Sequence, residues 1–137
     1  MRVVVGAAVV RDGRVLAARR SRPAHLAGHW ELPGGGVEPG ESDAQALARE
    51  CREELALTVA VAERVGPEVD LGRHGVPGRV LRVHRCVPTG DPTALEHGAL
   101  AWVGPGELET LDWLPADREV LPALATLLRG VRPPGPS

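Results

Sequence analysis

The chain has 137 residues, 43% of them hydrophobic and 25% charged, with a net charge of -2. That length encloses a hydrophobic core as one domain, expected over 1–130, and the composition excludes disordered and collagen-like classes. A slightly acidic total argues against a nucleic-acid coat or a membrane-surface binder, both of which need excess positive charge.

No apolar run approaches the ~18 residues that span a bilayer, and Met1-Arg2 leads into a strand-like run rather than a signal peptide. Cys51 and Cys86 lack metal-site spacing and are too few for a disulfide scaffold, so the expected setting is reducing and cytoplasmic. Lys, Asn, Ile, Phe and Tyr are all absent and every basic side chain is Arg. These five residue types share AT-rich codons, so their absence reads as genome bias.

Val3 to Val10 is an apolar, β-rich run, and the Asp12-Gly13 turn signal before Val15–Ala18 predicts a hairpin. A basic loop follows from Arg19 to His29, then a short extended segment at Trp30–Leu32 running into Gly34-Gly35-Gly36. Consecutive glycines let a backbone approach a ligand closely. Ser42 and Gln45 form a capping box that opens a helix from Asp43 to about Leu55, with Ala44, Leu47, Ala48, Cys51 and Leu55 as its buried stripe and its acids on the surface. Strands are expected over Leu57–Val65, Arg79–Val87 and Leu100–Val103. A short helix is expected at Glu107–Leu111 and a longer one at Arg118–Leu128, stopped by Gly130 and with Pro122 limiting where it can begin cleanly, followed by a frayed tail at 131–137.

Glu50, Glu53 and Glu54 fall three and four residues apart on that central helix, so their carboxylates are surface neighbours. Three clustered negative charges oppose folding. Arg49 and Arg52 offset part of the charge, and the remainder suits a hard cation such as Mg²⁺, which takes carboxylate oxygens, waters and phosphates. Taken in isolation, an acid-rich helix reads as a solvated face laced with ion pairs.

The wider constellation decides between these readings. Gly35, five residues, Glu41, seven residues, Arg49-Glu50, Cys51, Arg52, Glu53-Glu54, Leu55, Ala56 and Leu57 resemble the Nudix box. Ala56 stands where that family has Gly, and Cys51 fills an aliphatic position. Trp30-Glu31-Leu32-Pro33-Gly34-Gly35, Glu96-His97 and Pro115-Ala116-Asp117 further resemble the MutT-type branch, including CTP pyrophosphohydrolases and oxidised-nucleotide sanitisers.

The resemblance implies an α/β fold, a Nudix α/β/α sandwich with a mixed β-sheet. It implies hydrolysis of a nucleoside triphosphate to the monophosphate and pyrophosphate, with Mg²⁺ or Mn²⁺ as cofactor. Glu50 and Glu54 would be metal ligands, with the Gly34 carbonyl. Glu53 would serve a second ion or accept the water proton, and Glu96 is a candidate ligand or general base. Arg49 and Glu41 would orient the glutamates beside Gly35. Arg20 is suited to gripping phosphate oxygens, and His25 enters as a substrate-binding residue through the resemblance alone. Asp117 matches the base-contacting position, yet equally suits a helix cap ahead of Arg118. With no Phe or Tyr, base stacking falls to Trp30, another Trp or an aliphatic side chain, Trp102 and Trp113 being assigned to the core.

The expected partner is therefore a small nucleotide, with no nucleic-acid polymer and no membrane, and the protein a monomer or homodimer. Two other readings stand beside this one: hydrolysis of another nucleoside diphosphate derivative such as ADP-ribose, or a Nudix module that senses nucleotides without turnover.

Overall fold

The computed structural model describes residues 2–130, and the expected tail at 131–137 lies outside the described residues. The described residues form eight strands: β1 (Arg2–Arg11), β2 (Arg14–Arg19), β3 (Trp30–Glu31), β4 (Gly34–Gly36), β5 (Thr58–Arg64), β6 (Val69–Asp70), β7 (Arg79–Thr89) and β8 (Ala99–Val103). Three helices accompany them: α1 (Asp43–Leu55), α2 (Pro115–Arg118) and α3 (Leu121–Leu128).

The hairpin expected at the start forms as β1 and β2, with Asp12 and Gly13 at φ of 53° and 73°, the backbone that a tight two-residue turn demands. β1 is the spine of a mixed sheet. It runs parallel to β7 from the Arg2–Arg79 pair to the Val9–Cys86 pair, while β2 and β4 pair with it antiparallel. β5 and β6 lie antiparallel to β7, and β3 and β8 antiparallel to β2.

The unbroken apolar run in β1 follows from burial on both faces. Val5, Ala7 and Val9 pack with Leu47, Cys51 and Leu55 of α1. Ala8 belongs to the opposite core, with Trp113, Val120, Leu121 and Leu124 from the C-terminal segment. The layers are thus α1, sheet, then α2 and α3, the mixed α/β arrangement expected.

α1 begins with the capping box: Ser42 Oγ accepts from the Gln45 amide at 3.1 Å, and Gln45 Oε1 accepts from the Ser42 amide at 2.9 Å. It ends at Ala56 in the left-handed region, φ 51° and ψ 36°. Two features of its buried stripe differ from expectation. Ala44 is exposed and Ala46 replaces it, and Glu54 is 5% exposed rather than on the surface with the other acids.

The C-terminal region also departs from the single helix expected over Arg118–Leu128. A break at Glu119-Val120 separates α2 from α3, and Pro122 sits in the first turn of α3, where its missing N–H breaks no helical hydrogen bond. The helix expected at Glu107–Leu111 is a 3-10 turn, Leu108–Thr110. The glycine run is a strand, β4, rather than a loop, because it finds a partner edge in β1.

Candidate active site

Arg49 is the fixed point around which the acidic end of the site is arranged. Its guanidinium donates to both Glu41 oxygens at 2.8 and 2.9 Å, to Glu50 Oε1 at 2.9 Å and to the Gly36 carbonyl at 3.0 Å. A longer bond, 3.4 Å, reaches Glu53. Glu41 also accepts from the Glu38 amide, and Arg49 beside it holds its carboxyl down to about 2. One planar fork therefore ties the helix to the loop in front of it.

The glycines of β4 in front of the helix are steric requirements. A Cβ on Gly35 would overlap the Glu50 carboxylate, and a Cβ on Gly34 would overlap the Val5 carbonyl oxygen. Glu50 thus lies flat against backbone, and both Gly34 and Gly35 line the same cavity as Glu50 and Glu54. Its volume is about 480 Å³, within the range of small-molecule sites.

Glu54 is the buried acid of α1, 5% exposed. Burial comes first among the causes that raise its pKa to about 9, followed by the adjacent Glu50 carboxylate, with Glu31 and Glu96 adding to the effect. Its Oε2 is buried without a hydrogen-bond partner. An acid crowded by three others and left with an unpaired oxygen is poorly stabilised by this protein alone.

The loop between β7 and β8 closes over the end of α1. The Thr93 and Leu95 amides donate to the Leu55 and Glu54 carbonyls at 2.7 and 3.1 Å, using helix-end acceptors that would otherwise be unpaired. Glu96 and His97 are thereby brought beside Glu54. His97 Nε2 lies 2.9 Å from Glu31 Oε2 and 3.7 Å from Glu54 Oε1, and the side chain is 5% exposed. On its other oxygen, Glu31 accepts from Arg20 Nη1 at 3.0 Å. A polar chain thus runs from Arg20 at the cavity wall through Glu31 and His97 to Glu54.

The other end of the cavity is apolar, walled by Leu26, Leu71, Val76, Leu81 and Leu114. Asp117 is the buried acid there. Its Oδ2 accepts from the Leu32 amide at 2.8 Å, and burial is the main cause that raises its pKa from 3.8 to about 7. α2 is capped by Leu114 without a side-chain bond, so Asp117 lies within the helix and does not cap it. The Leu114 amide donates to the Trp30 carbonyl, which fixes α2 beside β3.

The NUDIX domain family matches residues 1–124. The chain belongs to the Nudix hydrolase family. An Escherichia coli relative named CTP pyrophosphohydrolase is 42% identical over 133 residues, covering 95% of each chain. A Mycobacterium tuberculosis relative with the provisional name 8-oxo-dGTP diphosphatase 2 is 48% identical over 131 residues, covering 93% of this chain and 91% of its own. The solution structure of the E. coli ORF135 protein superposes with a TM-score of 0.79 at 39% identity, covering 98% of this chain and 95% of that one. The MutT protein from Methanosarcina mazei Go1 gives 0.74 at 26% identity, covering 94% and 93%.

Within this Nudix fold, Gly34, Gly35, Glu50, Glu54, Glu96, Arg20 and Asp117 all line one cavity. Glu53 is half exposed, with 55% of its side chain open, and lies outside the lining. His25 sits exposed on a 3-10 turn, also outside it. No Trp lines the cavity: Trp113 is core, Trp102 lies under the Arg11 guanidinium and Trp30 near that of Arg19. Sequence reasoning gave no role to Glu31 or His97, although both stand in segments of the MutT-type resemblance. An acid in the second position of the extended Trp30-Glu31-Leu32 segment was the available signal.

Proposed function

We propose that the protein hydrolyses nucleoside triphosphates to monophosphate and pyrophosphate, acting on (d)CTP and related nucleotides or on oxidised ones such as 8-oxo-dGTP. In the cell this removes unwanted nucleotides from the precursor pool. The observation that carries the reading is the two-ended cavity: Glu50, Glu54, Glu96 and Glu31 crowd one end, and an aliphatic slot with Asp117 forms the other. The names of the two relatives support the same substrate class.

A divalent cation fits the acidic end, because the buried Glu54 carries an oxygen without a partner and stands among the carboxylates of Glu50, Glu31 and Glu96, with His97 beside it. Glu50, Glu54 and Glu96, with the Gly34 carbonyl, would hold Mg²⁺ or Mn²⁺. When bound, the ion neutralises phosphate charge and lowers the pKa of an attacking water. The chain's own part is positioning. Arg49, braced by Glu41, holds Glu50 against Gly35, and the acceptor for a water proton is Glu96, which lines the cavity, or Glu53, which would have to turn toward it. Arg20 holds Glu31 and faces the phosphate path. At the far end the Leu32 amide fixes one Asp117 oxygen as acceptor, leaving the other for the base. A proton there makes it a donor, its loss an acceptor only. The base lies between aliphatic side chains, no aromatic being available.

The test is a panel of CTP, dCTP, 5-methyl-dCTP, 8-oxo-dGTP and ADP-ribose with Mg²⁺ or Mn²⁺, with products resolved by ion-exchange chromatography. Pyrophosphate release from a cytosine or oxidised guanine nucleotide is expected. Turnover of ADP-ribose alone, or of nothing, overturns the proposal.

A further inference from the structure

One wall of the apolar end is the segment 71–76, which presents Leu71, His74 and Val76 to the cavity. Its own supports are few. β6 pairs with β7 through only Val69–Leu81 and Asp70–Val80. Asp70 accepts from the Gly72 amide at 2.8 Å, and the Val76 amide returns to the Leu71 carbonyl at 2.9 Å. Gly75 and Gly78 flank its exit at φ of 87° and 76°, the left-handed backbone that glycine adopts freely. These contacts shape the segment but do not hold it against the opposite wall.

Among the described residues, the hydrogen bonds that cross to the opposite wall end on a single carboxylate. Glu119 accepts from Arg73 Nη2 at 3.0 Å on one oxygen and is bonded to His74 Nε2 through the other. Glu119 lies two residues after Asp117, at the break between α2 and α3. Had the C-terminal region formed the unbroken helix expected from its sequence, this junction would not exist. The break places a cavity-facing acid and a loop-binding acid on one short turn.

Resting on the functional reading above, we propose that His74 and Glu119 form a latch that sets the width of the base-binding slot, making them specificity-determining positioning residues. The latch joins the wall carrying Leu71 and Val76 to the turn carrying Asp117. Its release lets the segment move away from the base, while the acidic end, built on α1 and β4, is untouched. Binding of the base weakens and discrimination between one-ring and two-ring bases narrows. The chemical step, governed by Glu50 and Glu54, proceeds as before. Glu119 is held below the ordinary carboxylate range, with the His74 bond as the largest cause, which accords with a pair formed in the folded protein.

The experiment compares wild type with His74→Ala, Glu119→Ala, the double variant and Glu119→Gln, measuring kcat and KM for dCTP and 8-oxo-dGTP. Inhibition by imidodiphosphate, which lacks a base, and thermal melting are followed in parallel. Each Ala variant is expected to raise KM for the preferred nucleotide about tenfold, the scale of a charge-assisted bond lost, with kcat within about twofold. The kcat/KM ratio between the two nucleotides narrows. The double variant adds nothing to Glu119→Ala, Glu119→Gln restores part of the loss, and imidodiphosphate inhibition stays at its wild-type value. Unchanged KM ratios, or losses shared equally by kcat and imidodiphosphate, overturn the latch while leaving the hydrolase reading intact. A wild-type protein that turns over neither nucleotide overturns both, a signature distinct from the first.

Discussion

The two ends of the cavity solve opposite problems. At the acidic end, Arg49 spreads its guanidinium over Glu41, Glu50, Glu53 and the Gly36 carbonyl, so that one side chain ties the acids of α1 to the segment before it through five hydrogen bonds. At the apolar end a single buried acid, Asp117, is fixed by one backbone amide among aliphatic side chains. Like charges forced together need many restraints, whereas an apolar slot needs only shape. Geometry at the first end serves a reaction common to many nucleotides. Shape at the second end is where one nucleotide is told from another.

The largest expected effect lies at the acidic end. Glu54→Gln removes a charge that the cavity needs but the empty protein resists, so turnover and stability move in opposite directions. Pyrophosphate release is expected to fall about a thousandfold, with nucleotide affinity changed much less. Without added metal at pH 8, the variant melts at a higher temperature than wild type, because Glu54, raised to about 9 in the folded protein, must take up a proton to enter the buried site and Gln need not. Equal losses of turnover and affinity would place Glu54 in simple binding and dissolve the contrast between the two ends.

Arg49→Lys comes next. A lysine keeps the charge but cannot form the fork that holds Glu41 and Glu50 together, and kcat is expected to fall about 10- to 100-fold. Since the base end is built from other elements, the ratio of kcat/KM between cytosine and guanine nucleotides should stay at its wild-type value. A shift in that ratio would show the two ends to be mechanically linked.

How much of this was legible in the chain follows the same division. α1, its capping box and the spacing of Glu50 and Glu54 are local, set by residues within a few positions of one another, and they stand in the structure where the pattern put them. Ala56, which stands where the box has Gly, takes the left-handed backbone that glycine adopts freely. The Glu31–His97 pairing is not local, because it joins residues 66 apart through the packing of a loop on the end of α1. The helix break at Glu119-Val120 was legible only in part: Pro122 limits where the C-terminal helix can begin cleanly, but nothing local shows that a separate short helix precedes it. Glu54 reads as a surface acid by type, and its burial depends on distant residues, Glu31 of β3 and Glu96 and His97 of the closing loop among them.

A smaller effect sharpens the apolar end. An unfolded chain releases the Asp117 proton near 3.8, but the folded protein keeps it until about 7. The folded state binds more protons within that window, so this residue makes stability fall as pH rises from about 4 to about 7. Asp117→Asn preserves an acceptor for the Leu32 amide and removes the titration. The difference in melting temperature between variant and wild type should grow in the variant's favour across that interval and level off above it. The nucleotide ratio should shift at the same time, since the amide donates where the ionised acid only accepts.

The smallest expected change lies outside both ends and tests whether either depends on overall stability. Ala56 holds φ 51° at the end of α1, where a Cβ crowds the following carbonyl and glycine does not. Ala56→Gly relieves that strain but gives the unfolded chain more freedom, so the net gain is about 1 kcal/mol at most, a rise of roughly 2–4 °C in melting temperature. Glu54 lies two residues earlier, anchored by the Leu95 amide on its carbonyl and not by the turn itself. Both kcat and the nucleotide ratio should therefore match wild type while the melting temperature rises. A loss of kcat with the gain in stability would mean that strain at the helix end helps to aim Glu54, and the acidic end would then owe its geometry to more than Arg49.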